Sequence, residues 1–557
     1  MAWQPLRNPD SDASNPRWSM PAWLFGGLGA AYMLVFLNSS FWNELYQAFA
    51  ASGGVRAQPG FALSVVVRVL CLQAVIVALV LWPRVGKPVL ALLILMAAAS
   101  AYTMDTFGTT FNTDVVASIF KTNRNELGAQ VTPLALRWFA LAGLLPAIIL
   151  LCIPVHFAPW RRGLIMRVTL LATLAGLMAS IAHLGGRSYR YWYRHHRDMY
   201  HVYNPYAALS GTLRYLKRDV FAPPSRRALI PVARDAVLGP ANQAGRKRLL
   251  VLVVGETARA QNFSLGGYAR DTNPQMRRRG AYYFADTWAC GTTTAVSVPC
   301  MFSGLTQSGF DKADPVEHWN LLDVVQHAGV DVLWRDNDGG CQGVCARVPN
   351  EDLTHATLGK LCDDHGCRDD VLVDDLPKQL AKLGPPALLI LHGQGSHGPD
   401  YFRRYPESWR QFAPACDTAE VHICTYQQVL NTYDNTILYT DYLLGRVVDG
   451  LQTLPDGIDT AMLYVSDHGE SLGENDIYLH GADAGVALEQ QWHVPMLLWL
   501  SPGWTRTGLL DEACVAARQQ RRHSHDNLYD TVLGLLDVRT SIYRPSLDLL
   551  SECRQRT

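Results

Sequence analysis

The chain has 557 residues with 49 basic (Lys, Arg) and 49 acidic (Asp, Glu) side chains, so its formal net charge is zero. This length is too great for one ordinary domain. The balanced charge gives no global electrostatic basis for nucleic-acid binding, and we expect no nucleic-acid partner.

The first third of the chain contains apolar stretches, each close to the ~20 residues that a membrane-spanning helix needs. The five stretches are 20–37, 61–82, 88–104, 134–155 and 164–183. We therefore predict a five-helix transmembrane domain at residues 1–184.

Basic residues lie in alternate connecting segments, which are expected to be cytoplasmic. They are Arg7, Arg17, Arg84, Lys87, Arg161, Arg162 and Arg167. Five spans then place the rest of the chain on the opposite side. In a bacterium this predicts a multi-pass inner-membrane protein with a periplasmic C-terminal domain.

Residues 185–245 connect the two predicted domains. The segment Arg187–Arg197 alternates cations with aromatic side chains, which is typical of chain lying at the lipid interface. Gly239-Pro240 and earlier prolines indicate a linker. We predict interfacial bridging helices followed by this linker, with membrane lipids as contacts.

From Leu249 onward, short apolar runs alternate with segments of helical spacing such as Val421–Gly450. The runs that indicate buried strands are Leu249–Val254, Ala387–Leu391, Ala461–Val465 and Met496–Leu500. This alternation predicts a soluble α/β/α domain with a mostly parallel sheet at residues 246–557.

Two of these runs are followed closely by residues of metal-ligand type. Glu256 comes after the first, and Asp467 and His468 come after the third. Side chains at the carboxyl ends of parallel strands meet in one crevice. Two carboxylates and an imidazole form a mixed oxygen and nitrogen set suited to zinc.

A hydroxyl-rich segment lies between them, Cys-Gly-Thr-Thr-Thr-Ala-Val-Ser-Val-Pro-Cys at 290–300. It offers Thr292, Thr293, Thr294 and Ser297 as nucleophiles. A free threonine hydroxyl is a poor nucleophile, but a bound divalent cation lowers the pKa of a coordinated oxygen. A helix beginning just after Thr294 would also favour an anion there. The residues alone leave these four candidates open.

Ten of the twelve cysteines lie in the predicted exported part, where an even count indicates disulfides. The close pairs are Cys290/Cys300, Cys341/Cys345, Cys362/Cys367 and Cys416/Cys424, and Cys514 and Cys553 remain. The alternative is a zinc site at the second and third pairs. It is disfavoured because oxidised thiols do not bind metal.

In combination, four motifs resemble the membrane-bound phosphoethanolamine transferases that modify lipid A, including the mobile colistin-resistance type, in the alkaline phosphatase and sulfatase superfamily. The motifs are Gly-Glu-Thr-Ala-Arg at 255–259, the 290–300 segment, Ser-His-Gly-Pro at 396–399 and Ser-Asp-His-Gly-Glu-Ser-Leu-Gly-Glu at 466–474. The resemblance spans nearly the whole chain. It implies zinc ligands at Glu256, Thr294, Asp467 and His468, with Thr294 also the nucleophile.

The resemblance also implies that His397 and His480 line the phosphate site, where they bind a second zinc or transfer protons. Ser118, Thr122 and Glu126 recur at intervals of four, which places them on one helix face. In the family this face receives the ethanolamine headgroup, with asparagine at the first position.

Two departures from the family pattern concern substrate binding. Ser118 has a shorter reach than the family's asparagine, and Gln342 stands where relatives often carry lysine. Losing that cation should weaken contact with a substrate phosphate.

The implied function is zinc-dependent transfer of phosphoethanolamine from phosphatidylethanolamine to a lipid A phosphate by a monomeric enzyme, through a phosphoethanolamine–threonine intermediate. The added ammonium group would confer resistance to polymyxin, colistin and other cationic peptides. Transfer to a core-sugar phosphate, a glucan or a protein stays open, as does an inactive lipid-binding homologue. A sulfatase is disfavoured because Cys300-Met-Phe-Ser lacks the proline and arginine of Cys-x-Pro-x-Arg. A glycerol-phosphate polymerase fits the cysteine-rich domain poorly.

Overall fold

The structure is a computed structural model that describes residues 19–51, 58–121, 128, 131–186, 189–190, 192, 196–221, 229–243, 247–310, 318–356, 359–363, 365–482, 487–506 and 509–554. The chain forms two compact units. One comprises Met1–Asp105 and Pro133–Ser210, and the other comprises Thr106–Thr132 and Gly211–Thr557. We call them the helical unit and the soluble unit. The domain boundaries drawn from the sequence stay predictions.

The helical unit contains long apolar helices that correspond to the predicted membrane spans. Within the described residues, four helices have the length and composition to cross a bilayer: Pro59–Val80, Gly86–Phe107, Pro133–Cys152 and Trp160–Leu184. The last of these has no buried residue, so its apolar side chains are available to lipid. The third is π-helical at Phe139–Leu144, directly before the turn that contains Pro146.

The first predicted span, 20–37, corresponds to the helix Ala22–Phe36, which forms a bent pair with the following helix, Ser39–Ala51. The two axes differ by 63°, and the pair makes a fifth crossing if it spans the bilayer as one unit. Asn38 lies at the bend, where its side-chain amide donates to the carbonyl of Met33 and its side-chain oxygen accepts the backbone N–H of Asn204. This local competition with the helical hydrogen bonds accounts for the break.

The soluble unit is built on an eight-stranded sheet, whose strands we number in chain order. They are β1 (Lys247–Gly255), β2 (Tyr282–Trp288), β3 (Asp331–Asp336), β4 (Asn350–Asp352), β5 (Ala387–His392), β6 (Ile458–Ser466), β7 (His493–Leu500) and β8 (Arg522–Ser524). The spatial order is β8-β2-β7-β6-β1-β5-β3-β4. Strands β6, β1, β5, β3 and β4 run parallel, whereas β7 is antiparallel to both β6 and β2.

The central strands are buried on both faces, as a parallel sheet between helical layers requires. All six residues of β5 are buried, and so are seven of the nine in β1. Helices of this unit include Thr113–Lys121, Thr294–Phe302, Leu321–His327, Leu376–Lys382, Tyr426–Gln452, Glu512–Arg518 and Leu528–Leu535. The predicted α/β fold and all four predicted strands are confirmed, and the helix predicted over Val421–Gly450 begins at Tyr426.

Five disulfides join cysteines of the soluble unit. Four are the predicted pairs Cys290–Cys300, Cys341–Cys345, Cys362–Cys367 and Cys416–Cys424, and the fifth is Cys514–Cys553. Cys71 and Cys152, both in the helical unit, are free thiols. The alternative of a zinc site on the middle pairs is therefore wrong.

Candidate active site

The centre of the site lies where β1 and β6 end side by side. Ser466 pairs with Gly255 in the parallel register, and the next backbone N–H, of Asp467, donates to the Gly255 carbonyl at 2.9 Å. Glu256 and Asp467 are therefore neighbours at the carboxyl edge of the sheet. Both side chains are fully buried.

His468 completes this group with a defined orientation. Its Nδ1 lies 3.0 Å from the Gly469 carbonyl, which accepts only, so Nδ1 carries the proton. Nε2 therefore presents its lone pair to the carboxylates, 3.3 Å from Glu256 Oε1 and 3.4 Å from Asp467 Oδ2. A backbone contact thus fixes the tautomer that a metal-binding histidine needs.

Thr294 is the first residue of the helix Thr294–Phe302. Its hydroxyl donates to Glu256 Oε2 at 3.1 Å and lies 3.4 Å from His468 Nε2. The side chain is half-buried, so part of it stays accessible to a substrate although Glu256 and His468 beside it are fully buried. The helix N-terminus beside it presents free backbone N–H groups, which favour an anion.

The other three candidate hydroxyls are placed differently. Thr292 donates to the carbonyl of Ala482 at 3.1 Å, and Ser297 donates to the backbone carbonyl of Asp467. Thr293 is the residue that precedes the helix, and its hydroxyl is buried. Among these four side chains, Thr294 is the one whose hydroxyl contacts both Glu256 and His468.

Glu256, Asp467 and His468 fit a divalent cation. One ligand atom from each lies within 4.8 Å of the others. Asp467 Oδ2 is buried and has no hydrogen-bond partner among the described residues. Such a carboxylate oxygen is costly unless a cation balances it. The donor set of oxygen and imidazole nitrogen suits zinc.

Two further predicted histidines lie beside this group. The His480 ring is 4.4 Å from that of His468 and 5.2 Å from that of His397, measured between centroids. Burial holds the pKa of both His397 and His480 well below the ordinary histidine value, and their mutual charge repulsion lowers that of His397 further. Both imidazoles are therefore neutral at neutral pH, with a lone pair to bind a metal or accept a proton.

Glu470 holds His480 in place. Its Oε2 lies 2.8 Å from His480 Nδ1, and its Oε1 accepts the Tyr401 hydroxyl at 2.5 Å. Burial raises the pKa of Glu470 to about 8. No sequence pattern assigns a role to Glu470. None indicates a role for Tyr401, because its partner Glu470 lies 69 residues away along the chain.

The remaining predicted residues concern substrate binding. The helix Thr113–Lys121 contains Ser118, whose side chain lies outside what the structure describes, as do Thr122 and Glu126 altogether. Just before this helix, the side-chain amide of Asn112 donates to the carbonyl of Gly481 at 3.4 Å. The helix therefore begins next to His480, within the same unit.

Gln342 lies in the loop closed by Cys341–Cys345 and has a positive φ of 50°. It is half-buried. In the part of the chain that the structure describes, its side chain makes no hydrogen bond, so the structure does not connect it with Thr294.

Gly395 is required for the position of Glu256. Its φ is +49°, and a Cβ there would lie 2.6 Å from the backbone oxygen of Glu256. We expect Gly395→Ala to displace Glu256 and lower the rate of the catalysed reaction about 100-fold, as a misplacement of about 1 Å can do. Gly267 is the matched control, because its φ is +97° but a Cβ there would have no atom within 4 Å.

Gly267→Ala should cost about 1 kcal/mol of stability from backbone strain alone and leave the rate unchanged. Steady-state rates and thermal unfolding of both variants test this. Equal loss of activity in the two variants would show that strain, not the displaced carboxylate, explains the effect.

The α/β domain has a buried carboxylate–imidazole group at its strand ends and a threonine at an adjacent helix N-terminus. These features are typical of the alkaline phosphatase and sulfatase type. A family model described as Sulfatase matches residues 248–538, and one described as Phosphoethanolamine transferase EptA/EptB matches residues 69–220.

Similar proteins cover almost the full length of the chain. It is 37% identical over 548 residues to phosphoethanolamine transferase EptA of Escherichia coli (strain K12), covering 97% of this chain and 98% of that protein. It is 33% identical over 519 residues to phosphatidylethanolamine transferase Mcr-1 of Escherichia coli, covering 91% and 94%. The chain therefore belongs to the phosphoethanolamine transferase family.

A solved structure agrees with this assignment. The integral membrane protein lipooligosaccharide phosphoethanolamine transferase A (EptA) from Neisseria meningitidis superposes with a TM-score of 0.90 at 33% identity, covering 97% of this chain and 100% of that chain. The soluble domain of the Neisseria protein gives a TM-score of 0.57 at 42% identity and covers 59% of this chain. The chain is thus a membrane protein with a soluble C-terminal domain.

Proposed function

We propose that this protein transfers phosphoethanolamine from phosphatidylethanolamine to a phosphate of lipid A, in two steps through a phosphoethanolamine–Thr294 intermediate. The observation that carries the proposal is the contact of the Thr294 hydroxyl with both Glu256 and His468. The relatives named phosphoethanolamine transferase, including the Kdo(2)-lipid A phosphoethanolamine 7''-transferase of Salmonella typhimurium at 27% identity, support the substrate class.

In the first step the Thr294 oxygen attacks the phosphorus of the donor lipid. The new O–P bond replaces the bond from phosphorus to the glycerol oxygen, and diacylglycerol leaves. In the second step a phosphate oxygen of lipid A attacks the same phosphorus and restores the threonine hydroxyl. Covalent catalysis of this kind divides one difficult displacement into two easier ones.

Glu256, Thr294, Asp467 and His468 are the residues that would hold a zinc ion. When bound, zinc lowers the pKa of the threonine hydroxyl and offsets the negative charge of the phosphate. The buried carboxylates keep Thr294 aligned through the contact with Glu256 Oε2. The free N–H groups at the start of the helix Thr294–Phe302 stabilise the phosphate oxygens.

His480 and His397 move the proton. In the first step they relay the Thr294 proton to the departing glycerol oxygen, and in the second they return a proton to Thr294. Their lowered pKa values leave both rings neutral and able to accept a proton. The alternative is that both rings bind a second zinc ion, in which case their lone pairs do not accept the proton.

We assign the headgroup site to Ser118, Thr122 and Glu126, whose spacing in the sequence predicts a shared helix face. Asn112, directly before the helix Thr113–Lys121 that contains Ser118, contacts Gly481, the neighbour of His480. A carboxylate such as Glu126 suits the ethanolamine ammonium group, and Gln342 provides a neutral contact for the donor phosphate.

The enzyme works as a monomer in the bacterial inner membrane with its soluble unit in the periplasm, where its five disulfides are stable.

Expression in a Gram-negative host without its own transferases tests the proposal. Lipid A extracted from these cells should carry one added phosphoethanolamine by mass spectrometry, and the cells should resist polymyxin and colistin. Unmodified lipid A from a folded, metal-loaded protein would contradict lipid A as the acceptor. Modified core-sugar phosphate, glucan or protein in the same extract would then identify the acceptor.

The contact between Glu470 and His480 gives a separate prediction. Glu470→Gln keeps the volume but replaces the carboxyl group that contacts His480 Nδ1 with an amide, which cannot exchange a proton with the ring. We expect kcat to fall about 10- to 100-fold, the usual range for losing a partner that orients a catalytic histidine. KM and the metal content of the Thr294 site should stay unchanged. Loss of metal together with activity would instead assign Glu470 to metal binding.

A further inference from the structure

A second buried cluster shares Glu256 with the site at Thr294. It consists of Glu256, Asp338 and His392, and one ligand atom from each lies within 4.8 Å of the others. His392 and Glu256 are fully buried, and Asp338 is 8% exposed. Glu256 is the one residue that this cluster has in common with the group of Thr294, Asp467 and His468.

Three neighbouring parallel strands bring these residues together. His392 is the last residue of β5, which lies between β1 and β3 and pairs with Val254 on one side and Asp336 on the other. Glu256 follows β1, and Asp338 follows β3. The same edge of the sheet that presents Glu256 to Thr294 therefore presents it to His392.

His392 has the orientation of a metal ligand. Its Nδ1 lies 2.9 Å from Asp336 Oδ2, and since an ionised carboxylate only accepts, Nδ1 donates the hydrogen bond. Nε2 then carries a lone pair when the ring is neutral. It is buried and makes no hydrogen bond to any described residue, with Asp338 Oδ2 at 3.6 Å. A carboxylate that holds the far nitrogen of a histidine is the usual support of a histidine–metal bond.

Asp336 is itself fixed by its surroundings. Its Oδ1 accepts the backbone N–H groups of Asp338, Gly339 and Gly340 at 2.8–3.1 Å, and its Oδ2 accepts the Trp334 indole N–H at 2.9 Å. The ring of His392 is therefore held rigidly. The backbone turn that binds Asp336 also carries Asp338 toward His392.

The charges of the region also favour a second cation. Glu256, Asp336 and Asp338 place three acidic side chains around His392, and all three are buried. A buried carboxylate costs free energy unless hydrogen bonds or a cation compensate its charge. A divalent ion beside neutral His392 would supply more positive charge to this region than a protonated His392 alone.

We propose that Glu256, Asp338 and His392 bind a further divalent metal ion, distinct from the one at Thr294 and from the alternative site at His397 and His480, with Asp336 as the residue that positions His392. One imidazole and two carboxylates suit zinc, and manganese is the next candidate. Glu256 would be a ligand of this ion and of the one at Thr294. This site goes beyond the proposed transfer reaction, whose steps use Thr294 and the histidines His397 and His480.

Metal content of the full chain, purified in detergent, stripped with chelator and reloaded with zinc, tests the proposal. Relative to the unchanged protein, His392→Gln should lose one zinc per chain, and His468→Gln should lose a different one, so that the double variant loses two. Asp336→Asn should weaken zinc at this site about 10- to 100-fold. Thermal unfolding identifies any variant that has not folded.

Unchanged zinc content in folded His392→Gln would overturn the proposal and identify His392 as an imidazolium between Asp336 and Asp338. Anomalous diffraction from zinc-loaded, unmutated protein tests zinc binding at His392 without a variant. A peak is expected about 2.0–2.1 Å from His392 Nε2. No peak there would overturn the proposal. Loss of zinc in His392→Gln but not in His468→Gln would contradict the metal assignment at Thr294 and leave this one standing.

Discussion

Thr294→Ala should abolish transfer, lowering the rate by about 10³-fold or more, as removal of a nucleophile does in other covalent mechanisms. The reason is that, in the proposed mechanism, the hydroxyl in contact with Glu256 and His468 is the oxygen that forms the covalent bond. Phosphoethanolamine on lipid A, measured by mass spectrometry at matched expression, reports the effect. The variant should keep its fold, since the side chain is only half-buried.

Two variants give the control for this result. Thr294→Ser keeps the hydroxyl and should keep activity within about 100-fold, because a lost methyl group is worth about 1–3 kcal/mol. Thr293→Ala removes the neighbouring hydroxyl, which does not contact Glu256 in the structure, and should leave transfer intact. Full activity in Thr294→Ala would refute the assignment of the nucleophile.

Asp467→Asn should remove the metal at Thr294 and most of the activity. The substitution keeps the volume but takes away the charge of a fully buried carboxylate, whose Oδ2 lies 3.4 Å from His468 Nε2. We expect metal affinity to fall at least about 100-fold, more than for loss of an outer partner. The rate should fall about 10³-fold, since Lewis-acid stabilisation is worth several kcal/mol. Metal analysis and lipid A mass spectrometry measure the two effects.

Asp441→Asn is the matched control. Asp441 is also buried, but its carboxylate accepts the backbone N–H groups of Gln275 and Met276. An asparagine oxygen can accept at least one of these hydrogen bonds, so metal content and rate should stay unchanged. If both variants lose metal equally, general destabilisation explains the loss and the ligand role of Asp467 is wrong.

The sequence predicts the centre of the site because its signals are local. Glu256 and Asp467 directly follow β1 and β6, both apolar runs, and parallel strands bring their ends to one edge. The neighbouring β3 is not recognisable in this way, since it contains Trp334 and Arg335. Arg335 is buried only because it pairs with Glu351 and Asp375, which no local pattern shows.

Other features depend on contacts between distant parts of the chain. Tyr401 and Glu470 are 69 residues apart, and the Cys514–Cys553 disulfide spans 39 residues, so spacing gives no indication of either. The antiparallel β7 has the same apolar character as its parallel neighbours, and its direction follows from tertiary packing. The bend at Asn38 depends on hydrogen bonds that reach Asn204.

The covalent intermediate is the most direct test of the mechanism. Purified full-length protein, loaded with zinc and incubated with phosphatidylethanolamine but no acceptor, should gain one phosphoethanolamine per chain. After reduction of Cys290–Cys300 and proteolysis, mass spectrometry should locate it on Thr294, and added lipid A should remove it. Modification of a different residue, or an unmodified protein that still converts lipid A, would contradict the two-step mechanism.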